Sequence, residues 1–225
     1  MRIAIIGHKR IPSNEGGIEK GVEQHAKRMV ELGHEVHVYN RGNRHVFEKD
    51  YQKYKEYQGI KIITIPTTNG QSEVPVYSFL ATFRALFGRY DVISYRASGS
   101  CVMIPIAKLF GNRCIASLHG IDSQREKWGK FASWYLKLGE KNAAKFADEC
   151  LVLSQNMKKY VDSTYGIDSI VFANGIERPI KVGLNEMKKF GLEDDNYILY
   201  LGRIVPEKGI HYLIKAFQNV VTNKK

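Results

Sequence analysis

The chain is short of cysteine, of acidic residues and of long apolar runs, and each shortage removes a class of protein. Only Cys101, Cys114 and Cys150 occur in 225 residues. None forms a CxxC pair and no His/Cys spacing reads as a zinc site, which excludes a disulfide scaffold and a zinc ribbon. A sparse, odd count suits a reducing, cytoplasmic setting. No segment reaches the roughly 20 apolar residues that cross a bilayer. The first apolar run, Ile3 to Ile6, is too short for a signal peptide. There is no tandem repeat, no low-complexity tract, no GxGxxG fingerprint of a nicotinamide site, and no motif of interleaved aromatics that reads nucleic acid. The acidic deficit, 23 Asp and Glu against 34 Lys and Arg, leaves a net charge of +11. That balance favours anionic partners: nucleic acid, an acidic membrane face or phosphorylated ligands. The cations are scattered rather than gathered in a tail, which argues against nucleic acid.

What is present is an ordinary globular composition, 44% hydrophobic and 25% charged, arranged in an alternating rhythm. Short apolar or alternating runs at 2–6, 35–39, 61–65, 91–95, 113–118, 150–153 and 169–172 predict strands. Between them, Ile18, Val22, His25, Met29 and Leu32 recur at helical spacing and stop at Gly33. Pro75 opens a helix carrying Phe79, Phe83 and Leu86; residues 102–110 predict a buried helix. Residues 131–146 predict another, with Phe131, Trp134, Leu138 and Phe146 on one face, and 156–165 a further one. The β-α order predicts an α/β fold, a doubly wound parallel sheet with helices on both faces, over residues 1–173.

The rhythm breaks at 174–196, a polar stretch with Pro179 and a short helical patch at 187–190, which reads as a linker. A fresh strand is expected at 197–201, a loop at 202–209 and an amphipathic helix at 210–221. One strand and one helix cannot bury a core of their own. Residues 197–225 are therefore expected to be the truncated start of a second domain.

In doubly wound folds ligands lie beyond the carboxyl ends of the strands, where three loops qualify. In the first, GHKRIPSNEGGIE, Gly16 and Gly17 precede a helix N-terminus whose free N–H groups attract anions; the alternative is a plain βα loop. In the second, LHGID, His119 follows a strand end, as a ligand contact or as a satisfied structural histidine. Asp122 caps the next segment or reaches the ligand. In the third, LGRIVPEKG, Arg203 and Lys208 flank a turn before a helix. They form a diphosphate clamp or two solvated cations. The helix from Pro75, with Arg84 and Arg89 beside its apolar residues, lies on an acidic membrane or faces the core.

The run YLGRIVPEKGIHYLIKAF, residues 200–217, strongly resembles the start of the C-terminal domain in glycosyltransferase family 4. These are retaining enzymes built from two Rossmann-like domains, the GT-B architecture. The opening, IIGHKRIPSNEGGIEKGVEQHAKRMVELGHEVHVYNR, resembles the same family's N-terminal strand, glycine loop and helix. It is closest to bacterial cell-surface polysaccharide transferases, rhamnosyltransferase-like members among them. LHGID and FANGIE also fit. The resemblance implies that Gly16 and Gly17 line the cleft by the donor diphosphate, and that Glu19 and Asp122 lie on its acceptor side. It implies that His119 acts at the donor sugar, and that Arg203 and Lys208 neutralise the leaving diphosphate. The donor is then a nucleotide-sugar, with no metal or other cofactor. The family also carries two glutamates seven residues apart, downstream of the LGR strand. Here that spacing occurs at Glu15/Glu23, Glu23/Glu31 and Glu48/Glu56, all in the first domain, and none is taken as the equivalent.

The expectation is therefore a transferase that moves a sugar to a lipid-linked or polysaccharide acceptor at the cytoplasmic membrane face, with no nucleic-acid partner. The 225-residue chain is expected to be inactive alone. The alternative is a non-enzymatic module that binds acceptor or membrane, or a subunit completed by a partner chain.

Overall fold

The computed structural model describes residues 1–13, 16–42, 54–121, 123, 129–175, 185–193, 196–202 and 204–220. The chain divides into two compact units, residues 1–175 and 176–225.

The first unit is built on an eight-stranded sheet: β1 (Arg2–Ile6), β2 (Glu35–Arg41), β3 (Glu56–Tyr57), β4 (Ile60–Ile65), β5 (Val92–Arg96), β6 (Arg113–Leu118), β7 (Glu149–Val152) and β8 (Ile170–Val171). Their spatial order is β3-β4-β2-β1-β5-β6-β7-β8. Every neighbouring pair is parallel except β3–β4, a two-residue antiparallel hairpin arm. Parallel strands need a crossover, and the crossovers here are α1 (Gly17–Glu31), α2 (Glu73–Leu86), the short pair α3 (Ser98–Cys101) and α4 (Ile104–Leu109), α5 (Lys130–Phe146) and α6 (Gln155–Tyr165).

β1 is nearly all apolar because both its faces are covered. Its Ile3 and Ile5 join Val22 and Ala26 of α1 and Val36 and Val38 of β2 in one core. Its Ala4 and Ile6 point the other way, into a core shared with Tyr77, Tyr95, Ile104, Leu118 and Ala143. Hence α1 covers one face and α2 to α5 the other. The chain leaves β1 toward β2 and leaves β5 toward β6, so the order reverses between β1 and β5. That reversal opens a crevice at the carboxyl ends of these two strands.

Two helices turn a different face inward than the sequence predicts. α2 buries Tyr77, Ser78, Ala81, Thr82 and Ala85, and leaves Phe79, Phe83 and Phe87 outside at 52%, 52% and 69% exposure. α5 buries Gly139, Glu140, Asn142 and Ala143, while Phe131 and Trp134 are exposed. Close approach explains both choices. A methyl on Gly139 would lie 1.8 Å from Ser98 O, so only small side chains fit where α5 meets α3. The single helix expected at 102–110 is split into α3 and α4, with Pro105 in the first turn of α4, where its missing N–H costs nothing. Its last residues, Leu109 and Phe110, are exposed rather than buried.

The second unit contains α7 (Asn185–Lys188), a 3-10 turn at Pro206–Lys208 and α8 (Ile210–Gln218). The strand expected at 197–201 is not formed. A strand is defined by its hydrogen-bonded neighbour, and no partner strand exists in this unit among the described residues. Ile198 and Tyr200 line an apolar cleft with Ile210, Leu213, Ile214 and Phe217. Leu199, Leu201, Ile204 and Tyr212 remain exposed, Leu201 at 90%.

Candidate functional site

The crevice is floored by the β1–α1 loop, and Gly7 sets its start. Gly7 has φ +119°, and a methyl there would lie 1.9 Å from Arg96 O. Only glycine lets the ends of β1 and β5 approach this closely. The loop is then tied from beneath. Gly7 N donates to Tyr77 Oη at 3.1 Å, and Tyr77 Oη donates to Tyr39 O at 2.5 Å. Asn40, near the end of β2, accepts from His8 Nε2 (3.0 Å) and Ile11 N (3.1 Å) on its Oδ1, and donates from Nδ2 to Ile11 O (2.8 Å). Arg41 donates its backbone N–H to Lys9 O and pairs with Glu73 at 3.1 Å. Tyr77, Asn40 and Arg41 thus hold the loop as a rigid floor, and sequence reading had assigned none of them.

At the loop's far end, α1 begins with Gly16 as its N-cap and Gly17 as its first residue. Glu19, buried, turns back over this first turn. Its Oε1 accepts from Lys9 N at 3.2 Å, and its Oε2 would sit 2.4 Å from a methyl on Gly16. The carboxylate at the third helical position is the reach-back half of a capping box, and it ties the glycine loop to the helix. Gly17 is exposed, with open space where a side chain would stand.

Across the crevice, β5 ends in Arg96 and β6 runs into His119. Ala97, directly after Arg96, has φ +66° and ψ +152°, a region that non-glycine residues occupy at a cost of about 1–3 kcal/mol. Arg96 is 5% exposed. Its Nη2 lies 3.4 Å from His25 Nδ1 on α1, and its Nε has no partner. Ser117 stands opposite Arg96 in the β5–β6 register, its Oγ buried and without a partner. His119 Nε2 is likewise buried and without a partner. Burial, then the neighbouring Arg96 and His25, push the His119 pKa down to about 4. His25, whose ring packs 5.1 Å from Phe172, is lowered by burial and then by Arg96. His119 is therefore a neutral imidazole at pH 7, suited to hydrogen-bond a hydroxyl.

The structure gathers His119 with Arg96, Ser117 and His25, and places Gly16, Gly17 and Glu19 at the same carboxyl edge of the sheet. Asp122 and Arg203 lie outside the described residues. Lys208 is exposed at the end of the 3-10 turn of the second unit. Arg96 escaped sequence reading because it sits one residue beyond the apolar pattern of its strand. His25 escaped because it falls on the apolar spacing of α1. A cation at a strand's carboxyl end was the available signal. The described residues contain no group of three His, Cys, Asp or Glu placed to hold a metal. None of their helices is long and apolar enough to cross a membrane.

Known folds and families match this arrangement. Solved structures align over almost the whole chain. Sucrose-phosphate synthase from Thermosynechococcus elongatus has a TM-score of 0.71 and 18% identity over 98% of this chain and 60% of its own. HepE of Anabaena, in complex with UDP, has a TM-score of 0.70 and 16% identity over 98% and 58%. A UGT protein of Arabidopsis thaliana complexed with UDP-L-rhamnose has a TM-score of 0.58 and 12% identity over 98% and 62%. The chain thus spans about three-fifths of these proteins. No curated protein matches the chain by sequence. The family model "Glycosyl transferases group 1" matches residues 184–225. The model "Glycosyltransferase Family 4" matches residues 15–178, and the chain belongs to glycosyltransferase family 4.

Proposed function

We propose that this chain is the acceptor-side domain, with the beginning of the donor-side domain, of an enzyme that transfers a sugar from a nucleotide-sugar to a lipid-linked or polysaccharide acceptor in cell-surface glycan synthesis. The family match over residues 15–178 carries the reading. The UDP and UDP-L-rhamnose complexes among its structural relatives favour a nucleotide-sugar donor, and a rhamnose-like hexose among the sugars to test. His119, neutral and with a free Nε2, hydrogen-bonds a hydroxyl of the donor sugar beside the reacting carbon. Gly16 and Gly17 bring backbone N–H groups to the donor phosphates. Arg203 and Lys208 neutralise the diphosphate as the glycosidic bond breaks and negative charge grows on it, so their stabilisation is largest in the transition state. No metal is assigned to these steps. The acceptor sits at the inner membrane face, a placement supported by the exposed Phe79–Phe83–Phe87 row on α2 and the net charge of +11.

The test uses the intact native protein with labelled nucleotide-sugars and a membrane lipid extract. Label should pass into the lipid or polysaccharide fraction, and His119→Ala should lower kcat about 100-fold. Full activity in His119→Ala, or transfer by no nucleotide-sugar, removes the reading. Efficient transfer by the 225-residue chain alone would overturn its assignment as part of the enzyme. A second reading, a binding module completed by a partner chain, draws on the exposed Leu199, Leu201 and Ile204 of the second unit. A monomer that binds no apolar dye opposes it.

A further inference from the structure

Arg96 is the most deeply placed cation in the crevice without a carboxylate, and neither the sequence motifs nor the proposed donor contacts give it a role. It is buried to 5% exposure, yet its guanidinium, with five N–H donors, makes a single hydrogen bond, the long 3.4 Å contact to His25. His25 is itself half-buried. An uncompensated buried charge is costly, and the fold adds to that cost. The strained Ala97 follows Arg96 directly, and Gly7 packs against its carbonyl. Around Arg96 the fold collects further polar atoms with no partner. Ser117 Oγ stands beside it in register, and His119 Nε2 is in range of its charge. His119 and His25 are only partly buried, so the group opens at its rim. Arg96, Ser117, His119 and His25 all lie on the α1 side of the sheet: Tyr95 and Leu118, the residues between them along the strands, point into the opposite core. Donors clustered on one side of a strand end, with no acceptor supplied by the protein, describe a site awaiting an anion.

We infer that Arg96, Ser117 and His119 form a binding site for an oxyanion, a phosphate group presented by the substrate in the crevice. The guanidinium fork grips two phosphate oxygens, Ser117 donates to a third, and His119 donates from Nε2 at the rim. The phosphate belongs either to a phosphorylated acceptor or to the nucleotide donor. The site itself does not depend on the transferase reading, because its test reads binding without turnover; only the naming of the phosphate's source rests on that reading.

The test is a titration of the wild-type 225-residue chain with inorganic phosphate, n-butyl phosphate and UDP at constant ionic strength. Binding is followed by the Tm and by the ring resonances of His25 and His119. Phosphate should raise the Tm more than chloride does, and should shift both histidine rings while raising their pKa values, since an anion now faces them. Arg96→Gln should weaken phosphate binding at least about tenfold, and Arg96→Lys, which keeps charge but loses the fork, should fall between. Ser117→Ala, a smaller change in a covered strand, should weaken it a few-fold. A response to n-butyl phosphate identifies the acceptor as the source, and a response confined to UDP identifies the donor. The inference is overturned if neither histidine ring responds to any of the three anions in the wild-type chain. It is also overturned if Arg96→Gln binds them undiminished.

Discussion

Gly7 and Gly17 stand at the two ends of one loop, and their surroundings give them opposite behaviour. At Gly7 the positive φ and the 1.9 Å approach to Arg96 O leave no room for a side chain. Gly7→Ala should destabilise by more than about 3 kcal/mol in urea unfolding. Gly17 has open space and an ordinary helical start. Gly17→Ala should stabilise by about 0.5–1 kcal/mol through the unfolded chain, while raising KM for the donor if its backbone approaches the phosphates. The buried histidines add a pH signature. Burial, opposed by the Asn40 hydrogen bond, pushes the His8 pKa down to about 3, below the 6.5 of an unfolded chain. The unfolded state therefore takes up a proton that the folded state refuses. Stability is full above about pH 6.5 and falls as pH drops toward 3, by about 1.4 kcal/mol per pH unit for this residue. His119, lowered to about 4 and partly exposed, adds a smaller share. Urea midpoints at pH 7.5, 6 and 5 should decline in that order, and a flat profile would contradict the burial of His8.

The helices carry the clearest lesson at the scale of elements. The helical period of α2 was legible, but two stripes share it, and sequence reading chose the aromatic one. The structure buries the smaller Tyr77–Ala81–Ala85 stripe, because a helix lying on β1 and beside α3 needs a slim face. The phenylalanines are left outward as a stacked row, with ring centroids 6.2 Å apart for Phe79–Phe83 and 5.3 Å for Phe83–Phe87. Arg84 and Arg89 are exposed on the same segment. Aromatic residues with neighbouring cations suit an anionic lipid surface. The triple change Phe79→Ser, Phe83→Ser and Phe87→Ser should leave the Tm within about 3 °C, because little core is lost. It should lower binding to vesicles containing anionic lipid by at least tenfold in co-sedimentation. Unchanged vesicle binding would return the row to an ordinary surface feature.

At the scale of the whole molecule the two units differ in how much they bury. Residues 1–175 hold two apolar cores, one on each side of the sheet. The α8 helix of the second unit has no buried residue, and helices of this length are marginal without packing. Backbone amides of α8 should therefore exchange with solvent orders of magnitude faster than those of β1 and β5. Mass-spectrometric hydrogen exchange on the isolated chain reads this directly; equal protection would mean that α8 is covered in solution.

The sequence by itself determined the β-α order, the parallel doubly wound sheet and the family, because these rest on local periodicity and on contiguous motifs such as residues 200–217. It placed His119 at a strand's carboxyl end for the same reason. Tertiary structure alone decided which stripe of α2 and α5 turns inward, since that depends on how closely neighbouring elements approach. It alone decided that 197–201 forms no strand here, since pairing requires a neighbour. It also decided that Arg96, Ser117, His25 and His119 share one pocket: they come from two strand ends and a helix far apart in the chain, and only the parallel register of β5 and β6 beneath α1 brings their polar atoms together.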